Sequence, residues 1–332
     1  MTIAVDSTWA EPTAQWLKPP PDLLSGAERL AWRRPARWRV VRDLALIWGQ
    51  VVAGIGLYVV HPSWWTLALG YVIVGGAQHG LLLAAHEFAH GLVIPDHKKL
   101  NDWIGQWLFE GPGGNSLTLY RHRHFAHHRL VSTPDDTKTI YRRDYSGLRL
   151  LVEVIRSLTG IDYVEQVVTV LRRSRARGPA HAAELSVVGI LAPVAIPQLA
   201  IAAILIVSAS PIAYVVLWAL PLVTVCVLFS KIRSSVEHLP THAEGGAAPD
   251  GGYFMGTPGP FVRTVRASAI ERLFLCKLNF CYHTEHHLCP SISYQYLPKI
   301  HERLVRRRTG SDRSRIVEAS YFSTLLDFWK GV

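Results

Sequence analysis

Three short histidine clusters interrupt a chain that is otherwise apolar or basic: "HEFAH" (His86, Glu87, His90), "HFAHH" (His124, His127, His128) and "HTEHH" (His283, His286, His287). On a helix, residues i and i+4, or i, i+3 and i+4, share a face, so each cluster presents two or three imidazoles in one direction. Imidazole nitrogen binds Zn, Cu, Fe or Ni. Taken alone, H-E-x-x-H is the pattern of a helix-borne zinc peptidase site, with the Glu activating a water. A zinc ion takes four ligands, or three and a water. Eight clustered imidazoles exceed that and suit two metal ions held by nitrogen. An intramembrane zinc metallopeptidase, which needs one such pair and one further ligand, stands as the alternative for "HEFAH".

The elements that must carry these clusters are largely apolar. The chain has 332 residues, 49% hydrophobic and 18% charged, with a mean hydropathy of +0.16. Stretches near 43–62, 65–89, 185–207 and 211–231 each approach the roughly 20 apolar residues that cross a bilayer core. No Lys or Arg occurs between Arg42 and Lys98, and none between Arg177 and Lys231. Two hairpins of spans would put all 35 basic residues on one side, leaving the opposite turns "HPSWW" and "SASP" without any. The positive-inside rule then places both termini and the middle region in the cytoplasm. Four buried helices of a soluble core would not explain this segregation. The net charge of +10 suits anionic headgroups or an acidic soluble partner, and calls for no nucleic acid. From Trp65 to His86 is about 32 Å of helix, so the first cluster lies at the cytoplasmic boundary.

The expected architecture is all-α: a polytopic membrane protein with four transmembrane helices in two hairpins and a cytoplasmic helical cap holding the histidine site. Residues 1–28, polar and proline-rich with no cleavable signal, form a mobile tail; 29–302 form the membrane domain; 303–332 form a C-terminal tail. Leu100, Trp103, Ile104, Trp107 and Leu108 make one apolar helix stripe, suited to the membrane surface or to the domain. "GPGGNS" signals a turn, and residues 147–177 read as a second apolar-rich helical stretch. Cys226, Cys276, Cys281 and Cys289 form no C-x-x-C pair and are expected as free thiols, with Cys289 a packed small side chain. A non-catalytic metal transporter would place ionisable groups within the spans. Segments 43–62 and 185–207 carry little that is polar beyond Asp43, Gln50 and Gln198.

The order of two spans, H-x-x-x-H, H-x-x-H-H, two spans and H-x-x-H-H resembles the three histidine boxes of the integral-membrane fatty-acid desaturase and hydroxylase superfamily. The likeness covers about residues 41–302, and "CYHTEHHLCPSISYQYLP" is similar to that family's third box. The resemblance implies a non-haem di-iron centre that activates O2 with two electrons from an external ferredoxin- or reductase-like donor. It implies a ninth histidine after the fourth span, which "KIRSSVEHLPTH" supplies as His238, with His242 as its substitute. Acyl-CoA members carry an Asn four residues before that histidine; this chain has Ser234. The ligand set implied is thus His86, His90, His124, His127, His128, His238, His283, His286 and His287. Glu87, Glu237 and Glu285 each adjoin a ligand histidine and are placed to accept its outer N–H; Asp135 and Asp136 in "STPDDT" either do the same or form the turn. The activity implied is oxidation of an unactivated C–H bond in a lipid chain, first of all fatty-acyl desaturation. Hydroxylation, ketone formation and terminal-alkene-forming decarboxylation are the superfamily's alternatives.

Overall fold

The computed structural model describes residues 19, 22–131, 136–138, 140, 143, 145–176, 187–208, 210–238, 253–254, 257–258, 262–307 and 319–331. Apart from a short ribbon that pairs Tyr253–Phe254 with Thr257–Pro258, the elements among the described residues are helices. In chain order they are α1 (Gly26–Trp32), α2 (Arg37–Val60), α3 (Trp64–Ala89), α4 (Lys98–Gly105), α5 (Leu117–Leu130), α6 (Leu148–Leu158), α7 (Ile161–Ala176) and α8 (Val187–Ser208). They continue with α9 (Pro211–Glu237), α10 (Ala269–Phe274), α11 (His283–Leu288), α12 (Leu297–Arg306) and α13 (Tyr321–Lys330).

Among the described residues four helices are long and apolar enough to cross a membrane: α2, α3, α8 over Leu191–Ser208, and α9. The first begins six residues before its expected start at 43, because Trp38 and Val41 extend the apolar surface past the arginines. The fourth runs six residues past its expected end at 231. There the apolar run stops at Lys231, but the helix does not. Lys231 is buried, with its Nζ 2.7 Å from Glu153 and paired also with buried Asp162, so its charge is met inside the protein.

α3 and α9 form the inner pair and α2 and α8 the outer one. Of the most apolar 18 residues, 61% and 44% are buried in α3 and α9, against 17% and 11% in α2 and α8. Leu46, Val52, Leu199 and Ile204 face outward, as lipid contact requires. The first hairpin closes tightly through glycine: a Cβ on Gly70 would sit 2.6 Å from the Gly54 carbonyl oxygen. Each hairpin turn starts its return helix with a serine cap. Ser63 pairs with Thr66, and Ser210 accepts from the Ala213 N–H ahead of Pro211.

Between α4 and α5 the chain makes a π-turn, Gln106–Glu110, and a glycine-rich bend that enters the bundle. Pro197 has no N–H for the carbonyl of Pro193 one turn earlier. The Gln106 Nε2 takes that carbonyl at 3.0 Å, while its Oε1 accepts from Leu117 N at 2.8 Å. Gln198 donates to the carbonyls of Gly111 and Pro112 and accepts from Trp218 Nε1 at 2.9 Å, so the lone polar residue expected in the third span is a cross-brace. Leu100, Trp103 and Leu108 of the apolar stripe are exposed, as are Leu148, Leu151, Ile155 and Leu158 of α6. An ion network of Arg143, Arg156 and Lys231 with Glu153, Asp162 and Glu165 docks α6 and α7 on α9.

Residues 22–32 and 296–307 join each other. Leu23 and Leu24 are buried, Arg303 bonds Glu28 at 2.5 Å and the Leu23 carbonyl at 3.0 Å, and Trp32 stacks on Tyr296. Position 302 falls inside α12, and Leu304 and Tyr321 are fully buried. Residues 22–28, 303–307 and 319–330 therefore pack on the domain that composition alone separated from them.

Candidate metal centre

α3 delivers the first histidine pair at its C-terminal turn, where its last carbonyls need partners. Asn101 Nδ2 donates to Phe88 O at 2.8 Å. The Arg121 guanidinium donates to Ala89 O at 2.8 Å and Phe88 O at 3.2 Å, held in place by Asp102. Arg121 lies one turn before His124 on α5, so the group that ends the first box helix also sets its register against the second. The third box is the six-residue α11. His238 follows the last turn of α9 directly.

The structure brings all nine histidines into one cluster, buried except for the half-buried His124. Ligand atoms of His86, His90, His124, His128 and His286 lie within 4.8 Å of one another, as do those of His127, His238 and His287. His283 joins the second group, its Nε2 2.8 Å from that of His238 and 3.2 Å from that of His287. The rings of His128 and His287, with centroids 4.3 Å apart, are where the groups meet. His242 lies outside the described residues. Among the described residues neither group contains a thiol, and the four cysteines are buried and form no disulfide.

The arrangement fits metal ions. The Nε2 atoms of His90 and His128 each lie 2.9 Å from that of His124, and His286 Nε2 is 3.0 Å from His128 Nε2. Nitrogens bound cis to one ion at about 2.1 Å would stand about 3.0 Å apart. Two inward nitrogens, His86 Nε2 and His127 Nε2, are buried with no hydrogen-bond partner among the described residues. Their outer nitrogens meet carboxylates: His86 Nδ1 lies 3.2 Å from Glu87, and His127 Nδ1 lies 2.8 and 3.0 Å from the two oxygens of Asp136. That is the way carboxylates orient metal-bound imidazoles. Burial holds His90 down to about 3 and lowers His124, His128, His238, His283, His286 and His287; it also lowers His127, against the pull of Asp136. All are neutral at pH 7, the form that binds metal.

The other flanking carboxylates divide. Glu237 lies 3.5 Å from His283 Nδ1, paired also with Arg233 and bonded by Tyr321 Oη at 2.7 Å. Glu285 turns away from the cluster to His301 Nδ1 at 2.7 Å and Thr264 Oγ1 at 2.5 Å. Asp135 lies outside the described residues. His79 packs against α10 through Phe274 O at 3.0 Å. Ser234 Oγ, one turn before His238, is buried with no partner among the described residues. Tyr120, stacked on His124 at 5.4 Å, and Tyr321 were not legible as neighbours of the cluster; helical spacing gives Tyr120, at i−4 from His124, but nothing local gives Tyr321.

The sequence model of the family described as fatty acid desaturase matches residues 62–317. The chain is also 26% identical over 262 residues to the beta-carotene ketolase of Paracoccus sp. (strain N81106 / MBIC 01143), covering 75% of this chain and 88% of that protein. With four membrane-length helices and the histidine groups at one end of them, the chain belongs to the fatty acid desaturase family, an oxidoreductase of the desaturase and hydroxylase superfamily.

Proposed function

We propose that the nine histidines hold two iron ions, one by His86, His90, His124, His128 and His286 and the other by His127, His238, His283 and His287. The observation that carries this is the convergence of nine imidazoles, eight of them buried and His124 half-buried, from four separate elements at one end of the spans. A single zinc ion would leave most of these nitrogens unmet, which disfavours the peptidase. When bound, the iron pair supplies O2 reduction and removal of hydrogen from an unactivated C–H bond. The protein orients the imidazoles through Glu87 and Asp136 and keeps water from them by burial. The cluster lies at the cytoplasmic face, where the charge asymmetry puts both termini, and a ferredoxin- or reductase-like donor supplies the electrons.

The substrate is a membrane lipid, and the favoured reaction converts a chain or ring methylene to a ketone. Each oxygenation consumes one O2, two electrons and two protons and releases one water. The first gives an alcohol; the second gives a geminal diol, which loses water to leave the carbonyl. The relative supports this reading, since it is named a beta-carotene ketolase and the match covers 88% of its length. The family match keeps fatty-acyl desaturation as a second reading, in which one O2, two electrons and two protons give an alkene and two waters. Mass-spectrometric profiling of cells that make β-carotene, expressing the wild type or His127→Ala, separates the two. An oxygenated carotenoid lost in the variant supports the first, a new acyl double bond the second. No lipid difference refutes both.

A further inference from the structure

A cavity of about 430 Å³ opens between the start of α2 and the turn that joins α10 to α11, outside both histidine groups. Its walls combine three cations, Arg42, Arg272 and Lys277, with apolar side chains that include Leu46 and Leu273. Leu46 and Leu273 are 65% and 50% exposed, so the apolar side of the opening faces lipid.

The depth of the cavity follows from α3. A Cβ on Gly76 would sit 2.4 Å from Phe274 Cδ1, and one on Gly80 2.6 Å from Lys277 Cδ, so α10 and its turn lie directly against these glycines. The two precede His86 by about 15 and 9 Å of helix, which sets the Lys277 ammonium beside the span and short of the water beyond it. An ionised group at that depth is costly and marks a function. Lys277 Nζ donates to the carbonyls of Gly76, at 2.9 Å, and Leu273, and Arg272 Nε to that of Ala267 at 3.2 Å. Neither cation has a carboxylate partner among the described residues. Burial pulls Lys277 down to about 8, so it is still charged at pH 7. Asp43 is the carboxylate of the lining, and both its oxygens are taken. Oδ1 accepts from Arg42 at 2.8 and 2.6 Å, and Oδ2 from Tyr294 Oη at 2.7 Å. Three cations against one carboxylate leave the cavity positive.

We infer that this cavity holds the headgroup of an anionic phospholipid, its phosphate among Arg42, Arg272 and Lys277 and its chain along Leu46 and Leu273. Basic pockets between spans suit such headgroups. A neutral hydrocarbon has no anion to offer and leaves the cations unmet, so this lipid is distinct from the carotenoid-like substrate. A phosphate bound there ties α2 to the turn after α10, across α3.

The test is native mass spectrometry of the purified full chain in detergent, titrated with phosphatidylglycerol or with phosphatidylcholine of the same acyl chains. The wild type is expected to bind phosphatidylglycerol at least about 5-fold more tightly, the worth of one basic side chain at a membrane surface. Lys277→Met and Arg272→Gln should each weaken phosphatidylglycerol binding about 5-fold. Arg42→Gln, at an exposed side chain, should do the same and decides the matter if the Lys277 variant fails to fold. Arg34→Gln, whose guanidinium pairs with Asp96 away from the cavity, should stay within about twofold of the wild type. Equal affinity of the wild type for the two lipids overturns the inference, as does a loss no larger in the cavity variants than in Arg34→Gln. Displacement of phosphatidylglycerol by equal concentrations of oleate or inorganic phosphate would assign the cavity to a free acid or a free anion and overturn it too.

Discussion

Asp136 and Glu285 each lie close to a histidine box, yet the structure gives them different partners, and replacing each in turn tests the metal assignment. Both oxygens of Asp136 face His127 Nδ1, at 2.8 and 3.0 Å, and Oδ1 also accepts from Lys138 N at 2.9 Å. Asp136 is 1% exposed, so no water replaces it readily. Asp136→Asn removes the charge that fixes which His127 nitrogen carries the proton and which points into the cluster. Loss of such a partner typically weakens metal binding 10- to 100-fold, or about 1.4–2.7 kcal/mol. Glu285→Gln removes a charge that faces only His301 and Thr264, keeps a carbonyl oxygen to accept from them so that the short third-box helix stays clamped, and should leave iron affinity within about twofold. The assay is competition for ferrous iron with a coloured chelator on the purified proteins. Equal affinity in wild type and Asp136→Asn, or a larger loss in Glu285→Gln, would refute the assignment of His127 as a ligand.

Lys231→Met takes one cation from Asp162, which is 1% exposed, but leaves it Arg143 and Arg156, and should cost about 1.5–3 kcal/mol, read as a drop in Tm; a loss below about 1 kcal/mol would mean that the network is solvated. Burial works to raise Glu153 and Asp162, but hydrogen bonds from Lys231 and Arg143 outweigh it and hold both below their ordinary values of 4.5 and 3.8. Because the folded values are the lower ones, this stabilisation is fully present above about pH 4.5 and fades as pH falls through them; a Tm profile with the same acid limb in Lys231→Met would contradict that. Gly70→Ala drives a Cβ to 2.6 Å from the Gly54 carbonyl oxygen and should destabilise the first hairpin by about 1–3 kcal/mol, measured by thermal denaturation in detergent. Stripping iron with a chelator should lower Tm and restoring ferrous iron should recover it, because the proposed ions would partner His86 Nε2 and His127 Nε2, which have no hydrogen-bond partner among the described residues; a Tm indifferent to iron counts against the site.

The parts of this site that follow a local rule were legible from the chain. Histidine spacing gave the three boxes, and the two long gaps free of Lys and Arg gave four spans, because helical periodicity and topology both act over short windows. The fourth span's true end was hidden. Lys231 closes an apolar window, and its partners Glu153 and Asp162 lie 78 and 69 residues earlier. The same limit hid Gln106. Its role at Pro193 O exists only because Pro197 frees that carbonyl in a helix 87 residues away. Flanking glutamates were the subtler case. Glu87, Glu237 and Glu285 look alike beside their histidines, but helix rotation points Glu285 toward Thr264 and His301 instead of the cluster.

The three boxes are held by different means, and the difference follows from helix length. His86 and His90 sit at the end of a 26-residue helix whose backbone needs no help except at its last turn, where Asn101 and Arg121 provide it. α5, with 14 residues, is near the length at which an isolated helix becomes marginal, and Arg121 ties it to that same turn. α11 has six residues and would not persist alone. It is clamped from outside the cluster, by Thr284 Oγ1 on Val262 O at 2.8 Å and by Glu285 on His301 and Thr264. Glu285 thus turns from the imidazoles because its own short helix has the greater need of it. Rigidity at the third box comes from the carboxylate that orients no clustered histidine, while at the second box Asp136 supplies orientation to a helix already fixed.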